Sequence, residues 1–440
     1  MTIKKFYKSH YIIENKDVIH NNSVLVIDNS HVEKIVRFES LSEVEKKTVI
    51  DFGNKIISPG FTNAHSHVAL VSVKGLGYAS ASALYDVMWG VEPSLTGDYV
   101  YKLSLLGMMD ALKSGTTSIN DHYFFADNVA QAASLIGIRG FIGHTIMTEY
   151  GPWVGSKQID FAKNFIDKWD GSERVHPILA PHETSTVDPQ TLFELSEYAK
   201  EKNLTMHMHL SQTQKEMDYI KNKYNKTPIE HAYDIGILDK NVIAAHCNVV
   251  DENDLEILAK TGTFPVFCPT THGLGGKVLN TNRLNQLSLD WGIGTDCSGG
   301  NDDYNMLEEM RASLILHNSR NQNDKITPKD VYEIATSKSL NRITQGKQNG
   351  TLENGQNADF IVIDCLNSKM QPLHDVINNI VTCAGSSEVT DVYVNGKEVI
   401  KNSNFVNVDE HELIEDAILS INELMSKSGF KEKIENGEFK

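Results

Sequence analysis

The sequence predicts an α/β protein in which a closed parallel (β/α)8 barrel is joined to a smaller β-rich domain. Eight short apolar runs alternate with amphipathic helical stretches through the middle of the chain. Both ends of the chain instead hold short β-rich runs that are broken by turn residues. Ionisable residues collect near the C-terminal ends of the central runs. These observations predict a barrel that carries a functional site, and one small domain built from both termini.

The small domain is expected to comprise residues 1–58 and 346–406. The first segment contains HYIIENKDVIHNNSVLVIDNSHVEKIV and KTVIDFGNKIISPG, whose apolar runs and turn residues are typical of strands. The second contains ADFIVIDC and TDVYVNGKEVI, and the latter has an Asn-Gly pair between strand-like runs, which predicts a hairpin. Residues 407–440 are expected to form a helical tail with a frayed, charged end.

The barrel is expected to span residues 59–345. Helical candidates such as PQTLFELSEYAKEKN and DENDLEILAKTG separate most of its β segments. An alternation of eight β segments with helices favours a closed barrel over an open sheet. The eight runs are FTNAHSHVAL, TTSINDHYF, IRGFIGHT, VHPILAPHE, LTMHMHLSQ, VIAAHCNVV, TFPVFCPTT and WGIGTDCSGG.

Composition excludes several classes of function. The 440 residues carry 41 Lys and Arg against 58 Asp and Glu, a formal net charge of −17, which disfavours binding to nucleic acid or to an anionic membrane. The N-terminus has no apolar core of a signal peptide, and no run approaches the ~18 apolar residues of a membrane span. The five cysteines are an odd, scattered set without CxxC spacing, which indicates reduced thiols in a cytoplasmic protein.

Histidines and aspartates near the ends of six central runs predict a metal site. These residues are His65 and His67, Asp121 and His122, His182, His209, His246 and Asp296. In a parallel barrel those ends open onto one face, where such enzymes keep their active site. Residues i and i+2 of a strand point the same way, so His65 and His67 can share one ion. Three imidazoles and one carboxylate suit a divalent ion such as zinc, with a position left for water.

The motifs resemble those of a known enzyme family. PGFTNAHSH is similar to the first metal motif of the amidohydrolase superfamily. The segments SGTTSIND, HLSQTQKE, AAHCNVVDENDLEILAKTG, GTDCSGGNDDYNMLEEMRAS and GTLENGQNADFIVID resemble, in order, further segments of its aminohydrolase and chlorohydrolase branch. That branch includes S-adenosylhomocysteine and methylthioadenosine deaminases, guanine deaminase and the triazine hydrolases. The resemblance covers about residues 1 to 400 and implies a (β/α)8 TIM-like barrel with a small β-sandwich domain built from both termini.

The resemblance also implies roles for individual residues. His65, His67, His209 and Asp296 would bind one divalent metal per chain, with Zn²⁺ first and Fe²⁺ or Mn²⁺ behind it. His246 would hydrogen-bond the attacking water or the substrate, and Asp296 would also take part in catalysis. The fourth run has no lysine that could bridge a second ion, which favours a mononuclear site. The substrate would be a small molecule contacted by His182, and the chain would form a homodimer. Separately from the resemblance, His122 and Glu149 are candidates for substrate contact at the rim.

Gln212 departs from the pattern of the deaminases. Their motif is His-x-x-Glu, and the glutamate shuttles protons between the water, the ring nitrogen and the leaving ammonia. The Gln212 amide can hydrogen-bond but cannot exchange a proton near neutral pH. The expected activity is hydrolysis of a carbon–nitrogen bond, with deamination of an amino-substituted heterocycle such as a purine through a metal-bound hydroxide. The alternatives are displacement of another leaving group, as in the chlorohydrolases, and a catalytically silent relative that binds a metabolite.

Several neighbouring residues are expected to pack rather than to act. His207 and Trp89 are interpreted as packing residues, although each lies in a segment that can reach the site. Cys297 is expected to fill space beside Asp296. Asp302 and Asp303 begin a solvated helix and remain substrate contacts by proximity alone.

Overall fold

The structure is a computed structural model that describes residues 4–77, 84–320 and 324–436. Strands and helices alternate through the middle of the chain, and strands prevail near its two ends. The strands are β1 (Lys4–Asn15), β2 (Val18–Asp28), β3 (His31–Arg37), β4 (Ile50–Asp51), β5 (Lys55–Pro59), β6 (Phe61–Ser66), β7 (Thr116–Tyr123), β8 (Arg139–Ile146), β9 (Val175–Pro177), β10 (Ala180–Pro181), β11 (Met206–Leu210), β12 (Val242–His246), β13 (Phe264–Phe267), β14 (Gly292–Ile293), β15 (Phe360–Asp364), β16 (Val389–Val394), β17 (Lys397–Lys401) and β18 (Asn404–Phe405).

The α-helices lie between these strands and after the last one. They are α1 (Glu43–Lys46), α2 (Trp89–Val91), α3 (Gly97–Lys113), α4 (Ala126–Ile136), α5 (Lys157–Trp169), α6 (Pro189–Lys202), α7 (Gln214–Tyr224), α8 (Pro228–Asp234), α9 (Glu252–Thr261), α10 (Pro269–Leu274), α11 (Thr281–Gln286), α12 (Met306–Arg320), α13 (Pro328–Glu333), α14 (Ser339–Ile343), α15 (Val376–Cys383), α16 (Glu410–Lys427) and α17 (Phe430–Glu435). Shorter 3-10 or π-helical turns cover Phe38–Ser40, Val68–Val73, Leu84–Met88, Glu92–Ser94, Ile334–Lys338 and Ser386–Glu388.

Strands from both ends of the chain form one mixed sheet. Among the described residues it is nine-stranded, in the order β18-β17-β16-β15-β5-β1-β2-β3, with β4 beside β1. The β5–β15 pairing joins the N-terminal part to the C-terminal part. The predicted hairpin joins β16 to β17, where Asn395 and Gly396 both have positive φ, as a tight turn between antiparallel strands requires. Stacked Phe360 and Tyr393, 4.3 Å apart, lie in the core of this region.

The central strands run parallel in two sheets. A five-stranded sheet contains β6, β7, β8, β9 and β10, and a four-stranded sheet contains β11 to β14. Single parallel bridges, Leu179 with Met206 and Ser66 with Asp296, connect the two sheets at both edges. Each of the eight predicted runs contains a strand, and the fourth is divided into β9 and β10.

The predicted helices carry clear start and stop residues. Helix α6 begins after Asp188, whose side chain accepts from the Thr191 amide, and Pro189 follows at the first helical position. Helix α9 begins with a capping box between Asp251 and Asp254. It ends at Gly262, whose φ of +70 is the left-handed conformation that glycine adopts without strain. Local sequence signals therefore mark the start of both helices and the end of α9.

A buried ion pair ties the parallel sheets to the mixed sheet. Arg139, at the start of β8, donates from Nε to Asp359 Oδ2 at 2.8 Å and from Nη2 to Asp359 Oδ1 at 3.0 Å. Asp359 also accepts the backbone N–H of Asn395 at 2.7 Å. Both charged side chains are almost completely buried. Loss of one partner would leave the other charge buried and unpaired, so this contact holds the two parts in a fixed relation.

Helices α16 and α17 follow the last strand. Helix α16 packs on α3, where the Tyr99 hydroxyl donates to Glu423 Oε2 at 2.9 Å. None of the helices formed by the described residues is both long and apolar enough to cross a bilayer. The five cysteines are all free thiols.

Candidate metal centre and catalytic cavity

The strand ends bring the predicted ionisable residues together. Backbone hydrogen bonds place Asp296 between His65 and His67: the Asp296 N–H donates to the His65 carbonyl at 3.0 Å, and the His67 N–H donates to the Asp296 carbonyl at 3.3 Å. On the opposite side, parallel pairing of β11 with β12 sets His209 beside Ala245, one residue before His246. The side chains that meet are buried. The register of the strands therefore brings these side chains together.

The tautomers of His67 and His209 are fixed by backbone carbonyl groups. Nδ1 of His67 lies 2.5 Å from the His122 carbonyl oxygen, and Nδ1 of His209 lies 3.2 Å from the His182 carbonyl oxygen. A carbonyl oxygen only accepts, so each Nδ1 carries the hydrogen and each Nε2 carries a lone pair. The two Nε2 atoms are 3.0 Å apart. Two lone pairs at this distance repel each other unless a cation lies between them.

His65 and Asp296 complete the donor set. Nε2 of His65 is buried and has no hydrogen-bond partner among the described residues. Asp296 Oδ1 lies 3.6 Å from it and 3.7 Å from Nε2 of His67. Two ligands at ~2.0 Å from one tetrahedral ion are separated by roughly 3.3 Å. The observed separations fit that spacing, and the donors, three imidazoles and one carboxylate, suit zinc.

Electrostatics keep these rings neutral. Burial and neighbouring histidines hold the pKa values of His65 and His209 well below the usual value of 6.5. Burial also lowers the pKa of His67, although the Asp296 carboxylate opposes the shift. A neutral imidazole is the form that binds a metal ion. The candidate ligands could therefore bind a metal ion without first losing a proton.

His246 sits against this set on a strained backbone. Its φ is +79, and that of Asp296 is +64, in a region that residues other than glycine rarely adopt. The His246 ring stacks on His209 at 5.2 Å and meets His65 edge-on at 5.0 Å. One of its nitrogens also groups within 4.8 Å of nitrogens of His65 and His209. Geometry alone thus places His246 close enough to be either a fifth ligand or a neighbour of the ligands.

A cavity of about 520 Å³ opens beside the candidate metal-binding residues. Its volume is in the range of small-molecule sites. Its lining combines aromatic and aliphatic side chains with a few buried polar groups. The lining residues are His67, Leu70, Gly77, Met88, Trp89, Glu92, His122, Tyr123, Phe124, Thr145, Met147, His182, His209, Gln212, Thr271, Leu274, Gly275, Asp296, Cys297, Gly299 and Gly300.

Comparison with known proteins identifies the family of this chain. The model of the amidohydrolase family matches residues 56–399. The chain belongs to the amidohydrolase family. It is 30% identical to a 5-methylthioadenosine/S-adenosylhomocysteine deaminase of Clostridium tetani over 405 residues, which cover 91% of this chain and 94% of the relative. It is 28% identical to a 5'-deoxyadenosine deaminase of Methanosarcina mazei over 417 residues, 93% of this chain and 95% of the relative.

A solved structure shares the fold of this amidohydrolase. An adenosine deaminase from Xanthomonas campestris with bound zinc superposes with a TM-score of 0.87 at 22% identity. The match covers 96% of this chain and 98% of that chain. The family resemblance that the sequence motifs predicted is therefore confirmed.

Not all of the predicted substrate-contacting residues of this amidohydrolase line the cavity. His182 and His122 line the cavity and are buried. The His182 Nδ1 pairs with the Thr186 hydroxyl at 2.9 Å, and neither ring nitrogen of His122 has a hydrogen-bond partner among the described residues. Glu149 is exposed and is not among the lining residues. Gln212 lines the cavity, and its backbone N–H donates to Glu216 Oε2 at 2.8 Å.

Other sequence interpretations need correction in part. Trp89, expected to pack, does pack edge-on against Tyr85 at 4.9 Å, but it also lines the cavity. His207 lies outside the cavity, yet its Nε2 is 2.9 Å from Nδ1 of His65, so it contacts a predicted metal ligand. Cys297 is buried and lines the cavity.

The other aspartates that the sequence singled out accept hydrogen bonds from backbone N–H groups. Asp302 accepts the Gly75 N–H at 2.7 Å, and Asp303 accepts the Asn305 N–H at 3.1 Å. Asp121 accepts the Val68 N–H at 2.8 Å, and burial raises its pKa to about 7. None of these three is a lining residue.

Sequence reasoning missed four buried residues. Glu92 lines the cavity, and burial raises its pKa to about 8. Glu183 and Glu216 are buried beside the Gln212 loop, where burial raises the pKa of both and the charge of Glu183 further raises that of Glu216. His272 is 2% exposed and contacts His246. Glu183 could have been found from the sequence, because it directly follows His182, a predicted site residue. The other three lie in helices or turns, and only the fold shows that these segments approach the site.

Proposed function

We propose that this amidohydrolase is a metal-dependent hydrolase that deaminates an amino-substituted purine or a related nucleoside. The observation that carries the proposal is the contact between Nε2 of His67 and Nε2 of His209, with His65 and Asp296 close by. The deaminase names of relatives that align over nine-tenths of both chains support the choice of reaction and substrate class.

The proposed centre holds one divalent ion. His65, His67, His209 and Asp296 would be its protein ligands, and zinc is the ion that their chemistry favours over iron or manganese. When bound, such an ion supplies the Lewis acidity that makes water a nucleophile near neutral pH. His207 supports the set by holding the Nδ1 side of the His65 ring.

Residues of the chain would orient the substrate in the cavity. Trp89 and Phe124 offer aromatic surface to a planar heterocycle. His182 and His122 would offer ring nitrogens to its polar groups. His246 would orient the attacking oxygen, and burial of the whole set would exclude bulk water.

Gln212 motivates a second candidate. It lines the cavity at the position where the deaminase motif carries a glutamate, and its amide cannot move a proton. A substrate whose leaving group departs without protonation, such as chloride on an activated ring, needs no such residue. Displacement of another leaving group is therefore the alternative, and a metabolite-binding protein without turnover is the third outcome.

The experiment measures released ammonia and chloride from zinc-loaded protein. Adenosine, 5'-deoxyadenosine, methylthioadenosine, guanine and a chlorinated triazine are supplied in parallel, and the His246→Ala protein purified identically excludes a contaminating enzyme. Ammonia from a purine substrate supports deamination. Chloride alone supports the second candidate, and binding of an adenosine analogue without any product would refute both reactions.

The finer architecture is also a proposal. We infer that the two parallel sheets close into a (β/α)8 TIM-like barrel over residues 59–345, because a bridge joins them at each edge. We infer that residues 1–58 and 346–406 form a β-sandwich and that residues 407–440 form a helical tail, although residues 1–3 and 437–440 of these segments lie outside the described residues. The separate apolar clusters of this region, one around Tyr7 and one around Phe6, support two packed layers. The homodimer and the cytoplasmic location stay predictions.

A further inference from the structure

The C-terminal tail touches the part of the chain that forms one wall of the catalytic cavity. This part, residues 88–92, is called the cavity turn, and its residues Met88, Trp89 and Glu92 line the cavity. Gly90 lies between them and is not among the cavity-lining residues that the structure describes. A β-carbon placed on Gly90 would be 2.7 Å from Cζ and 2.8 Å from Cε2 of Phe430. The Phe430 ring therefore lies directly against the backbone of the cavity turn.

The close approach of this ring accounts for the glycine at position 90. Gly90 is in helix α2 and is not one of the glycines with a positive φ, so its backbone conformation does not require glycine. Alanine is more favourable than glycine in a helical conformation. Non-bonded carbon atoms prefer separations of about 3.5–4.0 Å, so even a methyl group would displace the ring or the turn. The space that a side chain at position 90 would need is occupied by Phe430.

The tail holds Phe430 in place from its other side. Helix α16 packs on α3, the helix that follows the cavity turn, and the Tyr99 hydroxyl of α3 donates to Glu423 at 2.9 Å. After α16, Gly429 adopts a φ of +75, the left-handed conformation that ends many helices. The chain then enters α17, whose first residue is Phe430, and this side chain is 2% exposed. The ring is therefore fixed by helix packing, and the cavity turn rests on it.

The other contacts of the cavity turn are made with residues around the cavity. The Trp89 ring meets Tyr150 edge-on at 5.8 Å and lies 6.1 Å from the His182 ring. The backbone carbonyl group of Glu92 accepts a hydrogen bond from the Trp153 indole at 3.0 Å, and the Glu92 side chain is buried. These contacts join the turn to the segments that follow β8 and β10. A displacement of the turn would therefore move Trp89 and Glu92 together, relative to His182.

We propose that Phe430 is a positioning residue, which sets where the cavity turn places Trp89 and Glu92 and so how tightly the cavity binds its substrate. This role rests on the proposed function, in which Trp89 offers an aromatic surface to a planar heterocycle. Phe430 packs against the backbone of the turn, whereas the proposed metal ligands belong to other segments. A disturbance of this contact is therefore expected to weaken substrate binding, while the metal content and the chemical step change little.

The test changes both sides of the contact. Gly90→Ala adds a methyl group against the ring, and Phe430→Leu removes the ring atoms Cε2 and Cζ that the methyl group would meet. The double variant combines a larger residue with a smaller one, so the two changes should compensate each other. Gly273→Ala is the matched control, because its added methyl group, also in a short helix, would lie 3.4 Å from Leu316, an ordinary contact.

The position of the turn is read by ¹⁹F NMR of zinc-loaded protein labelled with 5-fluorotryptophan. The chain has four tryptophans, and each signal is assigned by its loss in the corresponding Trp→Phe protein. Trp89 belongs to the cavity turn and Trp153 donates to it. The indoles of Trp169 and Trp291 donate to residues elsewhere and serve as internal references.

Gly90→Ala and Phe430→Leu should each shift the signals of Trp89 and Trp153 and leave the two reference signals in place. In the double variant the shifted signals should return towards their wild-type positions, and in Gly273→Ala they should not move. Unchanged signals in Gly90→Ala, or shifts that simply add in the double variant, would overturn the proposal. So would the same shifts in Gly273→Ala.

Kinetics at matched zinc content give the second readout. Gly90→Ala should raise KM for a purine nucleoside by about 10-fold, with kcat changed less than about 3-fold, because overpacking displaces the binding groups and leaves the metal site intact. The double variant should return KM to within about 3-fold of the wild type. An unchanged KM in Gly90→Ala would overturn the positioning role, even where ammonia is released. If the signals behave as expected but no protein releases ammonia, the proposed function fails and the positioning of the turn by Phe430 stands.

Discussion

Nε2 of His67 lies 3.0 Å from Nε2 of His209, and backbone carbonyl groups on the far side of both rings hold their hydrogens away from this contact. The two facing lone pairs therefore favour a cation between them, and we predict one tightly bound divalent ion per chain. Elemental analysis of protein purified without chelators should find about one equivalent of zinc, with iron or manganese as substitutes.

Removal of a ligand should remove the ion. His67→Ala and His209→Ala should each lose most of the metal, since each deletes one of four ligands. His317→Gln, a change to a buried histidine outside the site, should keep it. Metal absent from the wild type, or present at two equivalents, would contradict the mononuclear site.

His246 and Asp296 should behave differently. His246→Ala should keep the metal and lose nearly all turnover, because we infer that this ring orients the attacking oxygen without coordinating the metal. Asp296→Ala should lose much of the metal together with the activity. Metal content and initial rate are measured on the same preparations. An empty site in His246→Ala with a full site in Asp296→Ala would exchange the two roles.

Gln212→Glu should raise deamination of an aminopurine by a factor on the order of 10²–10⁴, which is the usual contribution of a general acid–base. The carboxylate would stand at the position where the deaminase motif carries its proton shuttle. Ammonia release is compared between pH 6 and 9 at matched metal content. Gln214→Glu, an exposed change of the same kind two residues away, is the control and should have no effect. An efficient substrate of the Gln212 protein that is slowed in Gln212→Glu would favour the other leaving group.

Glu92 should make stability fall as the pH rises. Burial raises its pKa from the ordinary 4.5 to about 8 in the folded chain. Between these values the unfolded chain gives up the proton that the folded chain keeps, so unfolding becomes easier by on the order of a few kcal/mol across the window. Below pH 4.5 both states are protonated and this loss is absent.

Glu92→Gln should flatten that dependence. Urea unfolding from pH 5 to 9 should show a shallower decline in the free energy of unfolding for Glu92→Gln than for the wild type. Glu149→Gln removes an exposed carboxylate and should match the wild type. Parallel curves for all three proteins would show that Glu92 is ionised in the folded state.

The alternation of apolar runs with amphipathic helices was enough to locate the central strands, because side-chain periodicity is a local property. The Asn-Gly turn of residues 395–396 and the caps of α6 and α9 were readable for the same reason. The proposed metal ligands were also accessible from the sequence, since an i, i+2 pair such as His65 and His67 shares one face of a strand and the motif order resembles a family. Gln212 was recognised as a departure by its place in that motif.

Only the tertiary structure decided which other groups reach the site. His272 follows an ordinary helix start, and nothing local marks it as the partner of His246, 26 residues earlier. Glu92 enters the cavity from a short turn, whereas Glu149, beyond a strand end like the ligands, points to solvent. Ser66 pairs with Asp296 although a long stretch of sequence separates them, and this register sets the carboxylate beside the two histidines. Contacts of this kind depend on how distant segments pack, which no local pattern encodes.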